Sequence, residues 1–454
     1  MASPRILFGA TAAFCTGPAA KDFHLIENAA IGIDGNGVIV FVASDCQSAE
    51  DAAQRSGLKG AELVRLRRTH VLLPGFIDTH SHAPQWENRG IGIDLPLLQW
   101  IDKYTRPTEM TFSSTSKADR VYDMVVRDTL RNGTTTASYF GTIHVESTMI
   151  LADKCFQYGQ RSFVGQPSMD ITGYPEYTND SVEDIEERTK MLIEHIRSLD
   201  PQFSLVSPIV TPGFAPVISF RGMQALARLA DATGLPMQTH LSENHEEIEE
   251  MGRQYPESPS YTHTLDSAGI LTSKTILGHC AHLSDEEIAL IAERGAGVSH
   301  CPTSNLNLMS GQCKVRKLLD AGIKVGLGCD CSGGHTASVL ENLRRASDVS
   351  RTLIATDGPE AHLKIHELLY MATLGGAQVC GIDRKVGSFE VGKEFDAVLF
   401  DATAHAQASA GNIRLKEDES AMDILHKILF CADDRHIIRV FVKGIVRVDK
   451  TTEP

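Results

Sequence analysis

The chain has 454 residues, 42 % apolar and 22 % charged, and its 58 acidic against 43 basic side chains leave a formal net charge of −15. That balance excludes disordered, collagen-like and coiled-coil chains. The acidic total argues against a nucleic-acid partner, which needs a basic stripe. With no uncharged apolar run near ~20 residues, no membrane span or membrane partner is expected.

The N-terminal Met1-Ala-Ser-Pro-Arg-Ile-Leu-Phe has no basic segment followed by an apolar core, so no secretory signal is read and a cytoplasmic location is expected. The ten cysteines form no Cys-x-x-Cys pair. They read as free thiols of a reducing compartment, rather than a disulfide framework or a thiolate zinc site.

Short β-type runs open the chain, Ala30-Ile-Gly-Ile-Asp and Gly37-Val-Ile-Val-Phe-Val, around Asp-Gly-Asn-Gly turn chemistry. The last 65 or so residues look alike, with Gly387-Ser-Phe-Glu-Val-Gly, Asp396-Ala-Val-Leu-Phe-Asp and Ile438-Arg-Val-Phe-Val-Lys-Gly-Ile-Val-Arg-Val. Both ends supply strands without long helices between them. The simplest organisation is one β-sandwich domain from residues 1–70 plus 385–454, with a larger domain, 71–384, inserted. In that insert eight buried apolar runs recur: Val71–His80, Thr134–Phe140, Arg161–Gln166, Ser204–Thr211, Leu235–His240, Thr275–His279, Gly297–His300 and Ile323–Asp330. Segments of helical period separate them, such as Ala118–Arg131, Ser181–Leu199, Arg221–Thr233, Asp285–Arg294 and Lys314–Ala321. Eight alternating β/α units predict an α/β fold, a (β/α)8 barrel of the TIM type. A doubly wound open sheet is the alternative, but no Gly-rich nucleotide fingerprint supports it.

Chemistry gathers at the ends of the predicted strands. The first ends Pro74-Gly-Phe-Ile-Asp-Thr-His-Ser-His82. Residues two apart on a strand share a side, so His80 and His82 can offer two imidazoles to one ion. Other strands end in His240, His279 and Asp330, and barrels collect catalytic groups at the C-terminal strand ends. Three imidazoles and a carboxylate suit Zn²⁺, while Fe²⁺ or Mn²⁺ also fit the ligand types. Glu243, three residues past His240, can reach the same place and shuttle a water proton. His300 could line the pocket. His144, His245 and His282 read as structural or solvated, Cys329 and Cys331 as packing, and Glu246-Glu-Ile-Glu-Glu as an exposed helix face.

Taken together, the motifs resemble the amidohydrolase superfamily and, within it, the guanine deaminases. The resemblance is carried by Pro74-Gly-Phe-Ile-Asp-Thr-His-Ser-His-Ala-Pro-Gln85, Leu95-Pro-Leu-Leu-Gln-Trp100, Asn132-Gly-Thr-Thr-Thr-Ala-Ser-Tyr-Phe140 and Gln238-Thr-His-Leu-Ser-Glu-Asn244. Ser299-His-Cys-Pro-Thr-Ser-Asn305, Gly326-Leu-Gly-Cys-Asp330, Thr373-Leu-Gly-Gly-Ala and Phe389-Glu-Val-Gly-Lys-Glu-Phe-Asp396 extend it along the chain. It implies a single zinc held by His80, His82, His240 and Asp330, with Glu243, His279 and Asp330 catalytic. It also implies substrate contacts from Gln85, Trp100 and Phe214, and a homodimer whose only other partner is a small heterocyclic substrate.

Two positions depart from the pattern. After Pro208-Ile-Val-Thr-Pro212 the guanine deaminases carry Arg-Phe, and this chain has Gly213-Phe214; within Lys103-Tyr-Thr-Arg-Pro107 it has Arg106 where the family usually has Phe. A guanidinium offers planar charged hydrogen bonding that glycine cannot replace. The leading expectation is therefore hydrolytic deamination of a cyclic, amidine-bearing heteroaromatic ring related to guanine, with specificity moved away from guanine. The alternatives are guanine itself held by Arg106, hydrolysis of a ring amide or lactam, and a catalytically silent metal-binding relative.

Overall fold

Among the described residues (3–18, 21–171, 174–404 and 413–452), sixteen strands form two sheets in this computed structural model. The N-terminal part supplies β1 (Arg5–Thr16), β2 (Asp22–Ile33), β3 (Ile39–Ala43), β4 (Glu62–Arg65) and β5 (His70–Pro74). Eight parallel strands follow: β6 (Phe76–His82), β7 (Thr134–Phe140), β8 (Arg161–Gly165), β9 (Val206–Pro208), β10 (Met237–Leu241), β11 (Thr275–His279), β12 (Gly297–His300) and β13 (Lys324–Leu327). The chain then returns with β14 (Ala397–Asp401), β15 (Ile437–Val442) and β16 (Ile445–Asp449).

The parallel strands run in the order β10-β11-β12-β13-β6-β7-β8-β9, and a parallel bridge from Val210 to Met237 closes the ring. This is the (β/α)8 barrel that the eight-unit alternation predicts. Its helices start where hydroxyl caps sit: the Ser114, Ser181, Ser219 and Ser284 side chains accept from free backbone N–H groups of the first turn. Ile185, Thr189, Leu192, Ile193 and Ile196 show the spacing that buries one face of the helix Val182–Leu199 against its neighbours.

The termini build a second sheet, ordered β16-β15-β14-β5-β1-β2-β3 with β4 beside β1. Its two faces come from curling a single sheet around an apolar cluster that includes Leu7, Phe14, Phe389, Phe395, Leu399 and Phe441. Arg161 of β8 joins the two units, donating to Asp396 Oδ2 at 3.1 Å and Glu394 Oε2 at 2.6 Å.

Two local expectations are corrected. The run Val71–His80 is two strands in two sheets, because β5 pairs with β14 and β1 while β6 belongs to the barrel. The break lies at Pro74-Gly75. Proline cannot donate to a ladder, and a Cβ on Gly75 would lie 2.0 Å from Thr135 Oγ1. The C-terminal part also contains a long helix, Ala421–Cys431, capped by Ser420 and burying Ile424, Leu425, Ile428 and Leu429. The segment Gly387–Gly392 is loop rather than strand.

Candidate active site

All the strand-end groups meet at one end of the barrel. His80 and His82 leave β6 on the same side, His240 comes from β10, His279 ends β11, and Asp330 lies three residues past β13. The ligand-type atoms of His80, His82, His240 and Asp330 lie within 4.8 Å of one another. His82 Nε2 is 3.1 Å from His240 Nε2, and Asp330 Oδ1 is 3.3 Å from Nε2 of both His80 and His82. Metal–ligand bonds of about 2.0–2.1 Å in a tetrahedron put neighbouring donors about 3.4 Å apart, so these edges already have the span a zinc ion requires.

The protonation states suit ligation as well. Burial brings the His82 imidazole down to about 3. It also lowers His80, and it takes His240 well below the usual range, with neighbouring His80 and His82 adding to the effect. Burial by itself would raise Asp330, but the close His80 ring and the fields of His279 and His82 overcome it and hold the carboxyl well down. The set is three neutral imidazoles and one carboxylate. His80 Nε2 and His279 Nε2 are buried with no hydrogen-bond partner, as expected of lone pairs that await an ion or a water. Gly213 O lies 3.1 Å from His240 Nδ1, so Nδ1 carries the hydrogen and Nε2 faces the cluster.

Beside the cluster, Glu243 Oε2 is 3.4 Å and Asp330 Oδ2 3.9 Å from His279 Nε2. His279 Nδ1 is 2.8 Å from Asn305 Oδ1, which orients the ring. Burial and the Asp330 charge hold Glu243 well above the carboxylate range, opposed by the Ser310 hydroxyl at 3.2 Å. His279 and Asp330 have φ of 68° and 43°, a left-handed conformation that costs about 1–3 kcal/mol at each and that the surrounding packing maintains.

His82, His240, Glu243 and Asp330 of this group line a cavity together with, among others, Gln85, Trp100, Arg106, Gly213 and Phe214. Trp100 donates its indole N–H to Ile91 O at 3.0 Å. The Phe214 ring meets His240 edge-on at 5.9 Å. Arg106 stacks on Tyr174 at 4.3 Å, and its Nη1 lies 3.4 Å from the exposed Asp102.

The structure alters several minor readings. His300 does not line this cavity. Ser299 points inward to Thr79 at 2.6 Å, so its neighbour His300 points out and faces a different cavity, with Cys313 and Ser350. Glu247 is not part of an exposed face. It is buried and accepts from Glu243 N–H at 2.9 Å, holding the backbone of the acid beside the cluster. His245 and His282 pack against each other at 4.0 Å, and His144 lies 5.9 Å from Tyr177. Cys329 and Cys331 are buried thiols, and all ten cysteines are free.

Residues absent from the sequence-based set also build the site. Asp78 Oδ1 accepts from His80 N–H at 3.2 Å and Cys329 N–H at 3.0 Å, tying β6 to the Asp330 loop. Glu109 and Tyr177 line the cavity wall. A lone acid or tyrosine on a one-turn helix carries no spacing signal that a pattern could pick out.

A family model described as Amidohydrolase family matches residues 71–446. A probable guanine deaminase of Schizosaccharomyces pombe (strain 972 / ATCC 24843) is 44 % identical over 422 residues, covering 92 % of this chain and 79 % of that protein. Among solved structures, the guanine deaminase of C. acetobutylicum with bound guanine in its active site superposes with TM-score 0.87 at 32 % identity, covering 98 % and 99 % of the two chains. An adenosine deaminase from Xanthomonas campestris with bound zinc superposes with TM-score 0.82 at 25 % identity, covering 98 % and 92 %. No helix among the described residues is long and apolar enough to cross a membrane.

Proposed function

The chain belongs to the amidohydrolase family and is a hydrolytic deaminase, and on that premise we propose that it releases ammonia from a cyclic, amidine-bearing heteroaromatic ring related to guanine, with specificity moved away from guanine itself. The observation that carries this reading is the His80–His82–His240–Asp330 cluster, with Glu243 and His279 beside it, bordering the cavity.

His80, His82, His240 and Asp330 would hold one zinc ion, which when bound supplies Lewis-acid chemistry and lowers the pKa of water towards about 7. The chain's own groups manage the protons. Water adds to the ring carbon that bears the amino group, and the C–NH2 bond breaks. The two water protons end on the ring nitrogen and on the departing amine, which leaves as ammonia. Glu243 would carry them on Oε2, since Oε1 is engaged by Ser310. His279 Nε2 accepts from the attacking water while Asn305 fixes its ring. Asp330 Oδ2 assists as base from the other side.

The shift in specificity rests on Gly213. The residue lines the cavity with no side chain, where the resemblance implies a guanidinium aimed at a substrate oxygen. A charged hydrogen bond of that kind is worth about 1.5–3 kcal/mol, and its loss leaves room for a different ring. A second reading has one observation in its favour. Arg106 lines the same cavity, and the Asp102 carboxylate paired with it is exposed and therefore a weak partner, so its guanidinium, stacked on Tyr174, would hold guanine instead.

An ammonia-release screen of the metal-loaded protein over purines and pterins bearing a ring amino group tests the proposal. Turnover of a guanine-related ring is expected, with guanine itself poor. A product that gains a carboxylate and frees no ammonia would move the assignment to ring opening.

A further inference from the structure

A third buried carboxylate in the same cavity, besides Glu243 and Asp330, has no part in the chemistry above. Glu109 sits on the short helix Arg106–Met110 and is 7 % exposed. Its Oε1 accepts from Gln85 Nε2 at 2.8 Å and its Oε2 from the Tyr177 hydroxyl at 2.8 Å. Across the carboxamide, Gln85 Oε1 accepts from Ser332 N–H at 3.0 Å. All three partners are buried.

This arrangement leaves Gln85 one orientation. A backbone N–H can only donate, and an ionised carboxylate can only accept. Turning the amide over would set N–H against the Ser332 N–H and C=O against the Glu109 carboxylate, so both bonds would be lost at once. Buried polar groups without partners are costly, and the inverted amide is therefore unpopulated. One hydrogen of Gln85 Nε2 goes to Glu109. The other has no acceptor among the described residues, and Gln85 lines the cavity. The clamp also ties together the segment after β6, the helix Arg106–Met110, the Asp330 loop and the turn at Tyr177. Burial raises the Glu109 carboxyl above its usual range, opposed by the Gln85 and Tyr177 donors and by the nearby Arg106 charge.

We infer that Glu109 is a positioning residue: it locks Gln85 so that an N–H faces the substrate, and the cavity thereby selects rings that carry a hydrogen-bond acceptor, a carbonyl oxygen or an unprotonated ring nitrogen, at that edge. The inference rests on the proposed deaminase activity and narrows its substrate class.

The test is a polarity swap, the double variant Gln85→Glu/Glu109→Gln, in which every bond of the clamp can re-form. The carboxamide now at position 109 donates to the carboxylate now at position 85 and accepts from the Tyr177 hydroxyl, while Ser332 N–H still donates to position 85. Only the group shown to substrate changes, from donor to acceptor. The substrate is the best one from the ammonia-release panel, compared with its analogue in which C–H replaces the ring nitrogen. Glu109→Leu, which fills the volume without an acceptor, is expected to raise KM by about tenfold or more with a smaller change in kcat. The double variant is expected to recover the melting temperature lost in Glu109→Leu yet keep the raised KM, and to lose the wild-type preference for the ring-nitrogen substrate over its analogue. Recovery of wild-type KM and preference in the double variant would make the clamp merely structural and overturn the inference. So would a wild-type KM in Glu109→Leu. If the wild type releases no ammonia from any panel member, the deaminase assignment falls and takes this inference with it. Normal wild-type turnover with an unmoved KM in both variants removes the inference alone.

Discussion

Replacing Gly213 with arginine tests the specificity argument most directly. A guanidinium bonded to a substrate oxygen contributes about 1.5–3 kcal/mol, and at about 1.4 kcal/mol per factor of ten kcat/KM for guanine should rise roughly 10- to 150-fold. The backbone opposes the change. Gly213 has φ of 55°, and a Cβ there would lie 3.0 Å from Ser168 O. The left-handed conformation costs a residue with a side chain about 1–2 kcal/mol. That strain is present with and without substrate, so it lowers the melting temperature and leaves kcat/KM nearly untouched. The exception would be a shift of the Gly213 carbonyl, which lies 3.1 Å from His240 Nδ1 and accepts from Thr239 Oγ1 at 3.2 Å. Metal content must therefore be measured alongside guanine turnover, and a value unchanged from wild type shows that His240 has not moved. No rise in guanine turnover at full metal content would refute the argument. Efficient guanine turnover by the wild type would refute it as well. In that case Arg106 carries the contact, and Arg106→Phe should lose what Gly213→Arg was expected to gain.

Glu243→Gln should retain the metal while turnover falls by about 10²–10⁴; near-normal rates would take Glu243 out of proton transfer. His240→Ala removes one of the four clustered donors, and metal analysis should drop from about one ion per chain towards none, whereas an unchanged content would end the zinc assignment. Arg161→Met leaves Asp396, with a side chain 2 % exposed, uncompensated between barrel and terminal sheet. Breaking such a buried pair costs about 3–5 kcal/mol, so denaturant unfolding should shift to clearly lower midpoint, and an unmoved midpoint would deny the pair a structural role. The homodimer implied by the resemblance should scatter light as twice the 49.5 kDa chain, and a monomer mass would withdraw it.

The barrel is legible in the sequence because buried parallel strands are unbroken apolar runs and its helices repeat every 3.6 residues. Val71–His80 misleads for the same reason. A strand buried in the terminal sheet and a strand buried in the barrel have the same apolar composition, and only the pairing of β5 with β14 separates them. The helix Ala421–Cys431 is hidden between β-type runs, although Ser420 and the Ile424–Leu425–Ile428–Leu429 spacing mark it. Glu247 reads as solvated because a run of acids normally is, yet this member turns inward to hold the backbone of Glu243.

The amino-acid sequence by itself determined the inventory of groups: which imidazoles and carboxylates stand at strand ends, and that residue 213 is a glycine. These are local facts, set by side-chain identity and by the periods of strand and helix. Only the tertiary structure decided what each group faces. Ring closure brings His82 and His240, 158 residues apart, to 3.1 Å, and the folding of a long loop over the cavity sets Glu109 against Gln85. Hydrogen-bond polarity, burial and the resulting protonation states depend on neighbours distant in the chain, and no spacing rule encodes those.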